Sequence, residues 1–193
     1  MAEGVLQSLI GWVRPEAASN RKSDLDEEVV ALYDHLRTPV LRYLLSFGIP
    51  IDDAEEVLQE VFLALFQHLL QGKPRDNLRG WIFRVAHNSA LKRRLANRES
   101  ADRFDPAPET LEMAVNPMPS PEESVATLQR QSRLLAVVHA LPEQDQCCLS
   151  LRAEGLRYRE IADVLGISLG SVANSLEKSL TRLARADGAS THA

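Results

Sequence analysis

The chain has 193 residues, which is enough for one ordinary domain or two small ones. Its apolar content of 45% and charged content of 25% are typical of a globular protein, and no apolar run approaches the roughly 20 residues of a membrane span. The formal net charge of −5 argues mildly against a nucleic-acid partner, but this average hides a strongly segregated distribution of charge.

Targeting and cysteine patterns indicate a cytoplasmic chain. The N-terminal residues lack the basic start and cleavage pattern of a secretion signal, and we expect residues 1–24 to form a small amphipathic extension. Cys147 and Cys148 are adjacent, which excludes a disulfide framework and does not give a zinc spacing. We expect them to be buried in a helix as small hydrophobic side chains, with redox sensing as a weaker alternative.

Helical periods dominate the first half, and no run alternates as a strand would. Apolar residues recur every three or four positions from Leu25 to Leu44, which predicts a helix over about 25–47. Pro39 lies inside this pattern after Thr38, so we expect a kink or a new helix start there. A turn at residues 49–53 then precedes a second helix, over about 53–70.

The second predicted helix is acidic at its start. Its first turns carry five carboxylates and no basic residue: Asp52, Asp53, Glu55, Glu56 and Glu60. Acids near a helix start stabilise the helix itself, which is the simpler explanation. Because five acids in nine residues exceed what capping needs, the pattern also favours a partner with basic side chains.

The third predicted helix has the opposite sign. A polar loop over 71–79 leads into a helix over about 80–98, and six basic residues without an acid lie between positions 78 and 98: Arg79, Arg84, Lys92, Arg93, Arg94 and Arg98. Such side chains can follow a phosphate backbone, although a solvated helix face is the alternative. Trp81 could stack on an exposed base or anchor the core, and Phe83 is expected in the core.

Residues 99–122 read as an extended, flexible, acidic linker. Five of the ten prolines lie here, and residues 99–127 hold seven acids against a single Arg103. The sequence therefore predicts an all-α protein with two small helical domains, over 25–98 and 123–186, and a short tail over 187–193.

The second domain ends in a helix-turn-helix pattern. In YREIADVLGISLGSVANSLEKSLTRL (158–183), Ile161, Val164 and Leu165 can share one face, and Gly166 suits a left-handed helix end. Ser168 is a candidate N-cap of a second helix whose apolar residues are Val172, Leu176, Leu180 and Leu183. The pattern favours a DNA-reading helix pair, and an ordinary helical hairpin is the alternative.

These segments match a known family. DAEEVLQEVFLALFQHL followed by LRGWIFRVAHNSALKRRL resembles the promoter-opening domain of bacterial group IV (extracytoplasmic-function, ECF) sigma factors. LPEQDQCCLSLRAEGLRYREIADVLGISLGSVANSLEKSLTRL resembles the promoter-reading domain of that family, in the same order and after a similar linker. The resemblance covers about residues 26–97 and 128–186, which correspond to sigma regions 2 and 4.

The resemblance implies core RNA polymerase and promoter DNA as partners, and an anti-sigma protein that restrains the chain. The second helix would dock on the clamp helices of polymerase through Asp53, Glu56, Gln59 and Glu60. The loop from Gln71 to Arg79 would hold a flipped base of the −10 element, and the linker would enter the cleft that later holds RNA. Region 4 would touch the polymerase flap and read the −35 element.

Two sets of DNA contacts follow from the resemblance. The −10 set is Lys73, Arg75, Asn77, Arg79, Trp81, Arg84, His87, Asn88, Lys92, Arg93 and Arg94. The −35 set is Arg157, Tyr158, Ser168, Ser171, Asn174, Ser175, Lys178 and Arg182. The chain departs from the family at Ala173 and Ser175, where Lys and Arg are common, and at His87, where Arg is frequent. We expect Ser175 and Ser179 of the reading helix to face outward as well. Because this helix has fewer cations than is common in the family, the salt-dependent part of DNA binding should be weaker.

The sequence is compatible with three DNA-binding functions, and an enzyme is the alternative of a different class. The first is a sigma factor that opens promoters, and the second a sigma-like or helix-turn-helix regulator that binds DNA without opening it. The third is a two-domain repressor or response-regulator output domain, which leaves the acidic helix unexplained. The five histidines are scattered without metal spacing, and neither a phosphate-binding glycine loop nor a nucleophile motif occurs. We therefore expect no catalysis, no cofactor and no metal.

Overall fold

The computed structural model describes residues 15–101 and 121–188, and all regular structure within them is helical. Seven helices follow one another in these ranges: α1 Pro15–Ser46, α2 Ile51–Leu70, α3 Leu78–Ala101, α4 Pro121–His139, α5 Glu143–Ala153, α6 Tyr158–Leu165 and α7 Leu169–Gly188. The all-α prediction is confirmed. Residues 1–14 of the predicted extension, 102–120 of the predicted linker and 189–193 of the predicted tail lie outside the described residues.

Helix α1 differs from its prediction in two ways. It already includes Pro15, ten residues before Leu25, because the polar residues between them do not oppose a helix. It also continues through Pro39, so Thr38 does not begin a new helix. Val40 and Leu44 are fully buried on the next turns, and this packing holds the chain helical despite the hydrogen bond that proline cannot donate.

Helices α1, α2 and α3 pack around one apolar centre. The predicted core face of α2 is confirmed, because Val57, Val61, Leu65 and Leu69 are all buried. Tyr43 of α1 lies edge-to-face against Phe83 of α3, with ring centroids 5.7 Å apart, and both side chains are almost fully buried. This centre fixes the position of α3, which carries most of the predicted −10 set.

Helices α4 to α7 form the second helical unit, and its helix-turn-helix is confirmed in detail. Gly166 ends α6 with a φ of 66°, a left-handed conformation that favours glycine. The Ser168 hydroxyl accepts a hydrogen bond from the Ser171 N–H at 3.1 Å, so Ser168 caps α7 as predicted. Leu180 was predicted in the core stripe of α7, but 53% of it is exposed.

Loss of this cap gives a first testable effect. Ser168→Ala is expected to lower the free energy of unfolding by about 1 kcal/mol, because the first turn of α7 loses the acceptor for one of its free N–H groups. Urea denaturation measures the change. Ser168→Asp keeps an acceptor and serves as the control, and an alanine variant as stable as the aspartate variant would contradict the capping role.

The two helical units do not lie apart. Helix α3 packs along α6, and α1 also touches α5, so the buried residues of both units form one continuous core cluster. Cys147 and Cys148 of α5 are buried, as predicted, at the junction of this cluster.

Candidate nucleic-acid interface

Helix α3 presents one row of polar side chains to solvent. Arg84, Asn88 and Lys92 are exposed and follow one another at intervals of four residues, so they lie on one face. Arg79, Trp81, Arg93 and Arg94 of the predicted −10 set are only partly exposed. The free positive charge of α3 is therefore smaller than the sequence suggested.

Arg93 connects α3 to the acidic helix. Its guanidinium lies 2.6 Å from Glu56 and 3.5 Å from Asp53, and Asn97 donates a hydrogen bond to Asp53 at 2.8 Å. Two of the four predicted polymerase contacts, Asp53 and Glu56, thus already bind side chains of α3. Gln59 and Glu60 are exposed on the same helix.

The loop before α3 is exposed from residue 71 to residue 77 and includes Lys73, Arg75 and Asn77 of the −10 set. Asn77 has a φ of 53°, and its side-chain oxygen accepts a hydrogen bond from the Gly80 N–H at 3.1 Å. A Cβ on residue 80 would lie only 2.4 Å from the Asn77 amide nitrogen, so any larger residue there would displace the Asn77 side chain from its hydrogen bond to the turn. Arg75 lies 3.2 Å from Glu28 of α1.

The His68 side chain contacts this loop, a role that the sequence analysis did not predict. Its Nε2 lies 2.8 Å from the Pro74 carbonyl oxygen, and its ring lies 4.7 Å from the ring of Trp81. Trp81 therefore packs against a protein side chain at the base of the loop, with its ring tilted by 43° from the His68 ring, and is half-buried. No sequence pattern pointed to His68, because a lone histidine late in an amphipathic helix has no distinctive spacing.

His87 is placed in the core rather than on the surface. Only 8% of it is exposed, its Nδ1 lies 2.8 Å from the Tyr43 hydroxyl, and its ring meets Phe47 edge-to-face at 5.4 Å. Burial lowers the pKa of His87, and the carboxylate of Glu143 opposes this shift. A contact between His87 and an opened strand stays a prediction, and it requires rearrangement of this packing.

The lowered pKa predicts a pH effect on stability. Because folded His87 prefers the neutral form, the unfolded chain binds more protons, so the free energy of unfolding should fall as pH drops below the ordinary histidine value of about 6.5. His87→Gln should flatten this decline in urea titrations between about pH 7 and pH 5. His35→Gln, on the exposed side of α1, should keep the wild-type slope. Equal slopes in both variants would contradict the assignment.

The reading helix α7 also presents an exposed row. Asn174, Lys178 and Arg182 are exposed at intervals of four residues, and Ser171 beside them is half-buried. Arg157 and Tyr158 are exposed at the start of α6, where the Arg157 N–H donates to Glu160 at 2.7 Å. Ser168, the cap, is exposed as well.

Two serines of α7 face inward, which corrects the sequence analysis. Ser175 is 3% exposed, and its hydroxyl lies 3.4 Å from the Gln144 side chain of α5. Ser179 is fully buried, and its hydroxyl donates a hydrogen bond to the Ser175 carbonyl oxygen. The short side chain of Ser175 lets α7 approach α5 closely. Ser175 is therefore not available to DNA in this structure, and an arginine there would have to leave a packed interface.

Each of the two helical units matches a known protein family. Residues 32–101 match Sigma-70 region 2, and residues 131–183 match Sigma-70 region 4. CnrH of Cupriavidus metallidurans, an RNA polymerase sigma factor, is 30% identical over 145 residues, which are 72% of this chain and 75% of CnrH. The chain belongs to the ECF sigma factors. Helices α1–α3 are its region 2, and α4–α7 include its region 4.

Other relatives differ in length. The ECF sigma factor SigE of Mycolicibacterium smegmatis is 28% identical over 68% of this chain, and the chain spans only half of SigE. RpoE of Cereibacter sphaeroides is 28% identical over 82% of this chain and 86% of its own length. Among solved structures, the sigma factor RpoE of Bartonella quintana in complex with the anti-sigma factor NepR has 19% identity and a TM-score of 0.60, over 81% of this chain and 96% of that one.

A second solved structure, CnrH in complex with the cytosolic domain of CnrY, has 22% identity and a TM-score of 0.57 over 83% of this chain and 87% of that one. Sigma factors are transcription initiation factors and not enzymes. Within the described residues, no group of ligating side chains could hold a metal ion. None of the helices described is both long and apolar enough to cross a membrane.

Proposed function

We propose that this sigma factor binds core RNA polymerase, directs it to promoters with a −10 and a −35 element, and promotes opening of the DNA. The observation that carries the proposal is the presence of both sigma regions in one chain and in order. Region 2 supplies a polymerase face and a strand-binding face, and region 4 supplies a duplex-reading helix.

The polymerase face lies on the outer side of α2. Gln59 and Glu60 are exposed one turn from Glu56, and Leu63 next to them is 59% exposed. An exposed leucine flanked by acidic groups suits a partner that offers apolar surface and basic side chains. The clamp helices of core polymerase are the partner proposed for this face.

The strand-binding face combines the loop over 71–77 with the row Arg84, Asn88 and Lys92. Unstacking a base costs a few kcal/mol, so an opened strand needs both a place for the base and cations for the backbone. The exposed loop supplies the first, and the α3 row supplies the second.

The duplex-reading face is the row Asn174, Lys178 and Arg182 on α7. An asparagine amide can pair with adenine through two hydrogen bonds, and the cations can reach bases or phosphates. Because few cations lie on this helix, tethering to polymerase should contribute much of the affinity for the −35 element.

The test of polymerase binding uses one charge reversal and a matched control. Glu60→Lys is expected to weaken binding of core polymerase by at least about tenfold, because it places a cation on the proposed contact face. Glu27→Lys makes the same charge change at an exposed position of α1 and should leave binding unchanged. Fluorescence anisotropy with labelled sigma factor measures both, and equal affinities would contradict the proposed face.

The alternative function is a regulator that binds DNA without opening it, and the few cations on α7 are the observation that favours it. Transcription in vitro from genomic templates with core polymerase separates the two functions. Specific transcripts, with single-stranded thymines reactive to permanganate near the start site, support the sigma function. Core binding and promoter occupancy without any opening would support the alternative.

We further propose that the chain acts in the bacterial cytoplasm and is restrained by an anti-sigma protein. Two related structures are complexes with such partners, CnrY and NepR, which supports this proposal. Co-purification of the tagged chain with a specific inhibitory protein, and loss of transcription when that protein is added, would test it.

A further inference from the structure

The exposed loop over 71–77 begins where the backbone of α2 turns away from the helix. Gly72 has a φ of 66° and donates a hydrogen bond from its N–H to the Leu69 carbonyl oxygen at 3.0 Å. The Lys73 N–H donates to the His68 carbonyl oxygen at 3.3 Å. These two bonds are those of a Schellman motif, and they involve backbone groups alone. The first loop residues are therefore fixed whatever side chain position 68 carries.

The His68 side chain holds the next residue of the loop. Its Nε2 lies 2.8 Å from the Pro74 carbonyl oxygen. Because a carbonyl oxygen can only accept, the Nε2–H of the imidazole is the donor. Pro74 has no N–H, so this carbonyl is the one backbone group through which a hydrogen bond can hold it. His68 thus binds two consecutive loop residues, Lys73 through its backbone and Pro74 through its ring.

Trp81 of α3 orients the His68 ring. The two ring centroids lie 4.7 Å apart with their planes inclined by 43°, and both side chains are half-buried. An imidazole that packs against an indole loses part of its rotational freedom, so its Nε2 stays within reach of the Pro74 carbonyl. The His68 ring therefore sets the distance between the middle of the loop and α3.

The other side-chain contacts of the loop are screened or local. Arg75 lies 3.2 Å from Glu28 of α1, but 58% of the Arg75 side chain is exposed, so such a pair contributes little and is weakened by salt. At the end of the loop, Asn77 accepts a hydrogen bond from the Gly80 N–H, which is only three residues away. Among the contacts described for residues 71–77, the His68–Pro74 bond is the one that fixes the middle of the loop backbone to α2.

We propose that His68 is a positioning residue of the strand-binding face, whose Nε2–H holds the Pro74 carbonyl so that the loop over 71–77 is shaped for a promoter base before DNA arrives. The inference rests on the function proposed above, because it concerns how that loop captures a base. A loop without this anchor has to be ordered at the moment of capture, and ordering backbone lowers the affinity. With His68 in place, the ordering occurs during folding.

Three substitutions separate the hydrogen bond from the ring contact. His68→Ala removes both, and His68→Phe keeps an aromatic ring beside Trp81 without a donor. His68→Gln keeps an N–H donor at a similar distance from the helix without the ring. Gln67→Ala, at the exposed preceding position, is the matched control. Circular dichroism and urea denaturation check that all four variants keep the wild-type fold.

The first readout needs no DNA and is the initial rate of tryptic cleavage after Arg75 in the free chain, followed by mass spectrometry. His68→Ala and His68→Phe should be cleaved about threefold to tenfold faster than wild type, because the loop opens more often when it loses one hydrogen bond. His68→Gln and Gln67→Ala should keep the wild-type rate. Equal rates in His68→Ala and wild type would overturn the anchor, whether or not the chain binds DNA.

The second readout is the affinity of reconstituted holoenzyme for a fluorescein-labelled promoter fork. The fork carries a duplex −35 element and a single-stranded −10 element, from a promoter found by sequencing transcripts made in vitro. His68→Ala and His68→Phe should bind it about fivefold to tenfold more weakly, as expected when one backbone position must be ordered on binding. His68→Gln should restore the affinity, because it restores the donor.

Forks with one abasic nucleotide, placed at each −10 position in turn, test whether the loop acts on a base. The loss caused by His68→Ala should disappear on the fork that lacks the captured base and persist on the others. Wild-type affinity of His68→Ala for the intact fork, or the same loss on every abasic fork, would overturn the role in base capture.

Failure of the proposed function has a different signature. Wild-type holoenzyme would then give neither fork binding nor transcripts, and the role of His68 in capture would fall with it. Faster cleavage of His68→Ala after Arg75 would still establish the anchor of the loop.

Discussion

Phe83→Ala is expected to lower the free energy of unfolding by about 3–5 kcal/mol, the largest single effect that the structure predicts. Phe83 is fully buried, and its ring packs edge-to-face against Tyr43 at the centre of region 2. Removing the ring leaves a cavity between α1 and α3 that neighbouring helices cannot easily fill. Urea denaturation monitored by circular dichroism measures the loss.

Leu95→Ala is the matched control for this experiment. Leu95 lies on the same helix with 60% of its surface exposed, so its truncation removes a large apolar side chain without creating a cavity. Its unfolding free energy should remain within about 0.5 kcal/mol of wild type. A similar loss in both variants would show that α3 contributes through helix stability and not through packing of Phe83.

Asn174→Ala is expected to weaken transcription from promoters that depend on the −35 element by roughly 5- to 150-fold, equivalent to about 1–3 kcal/mol for a lost bidentate base contact. Asn174 is exposed on the reading row of α7, so its truncation should change DNA contact and not the fold. Run-off transcription with reconstituted holoenzyme, on a promoter found by sequencing transcripts made in vitro, measures the effect.

Ser175→Ala provides the comparison. Ser175 is buried against α5, so the same truncation one residue later should leave promoter recognition near the wild-type level. Equal losses in the two variants would mean that α7 rotates when it binds DNA, and that the exposed row seen here is not the reading face.

The local architecture was predictable because its causes are local. The apolar period of α2 places Val57, Val61 and Leu65 on one face whatever the rest of the chain does. The turn between α6 and α7 follows from the left-handed preference of Gly166 and the capping hydroxyl of Ser168. Family resemblance then assigned these elements to sigma regions 2 and 4.

What the sequence could not predict depends on contacts between distant segments. Ser175 and Ser179 carry no apolar signal, yet both are buried, and Ser175 lies beside Gln144 of α5. In the sequence, His87 is recognisable only as an unusual residue within a basic helix. Its environment is formed by Tyr43 and Phe47, which lie some forty residues earlier in the chain. The docking of region 4 on α3 combines shared apolar packing with single ion pairs such as Arg94–Glu143, and no periodicity in the sequence predicts either contact.

The buried serines of α7 restrict how promoter preference can change during evolution or in the laboratory. A larger residue at position 175 or 179 would overpack the buried face of α7 and cost about 1–3 kcal/mol before any new base contact formed. In a library that randomises the whole helix, many variants would therefore be destabilised by a larger residue at position 175 or 179. Orthogonal variants should be sought by varying Asn174, Lys178 and Arg182 together, with both serines held fixed.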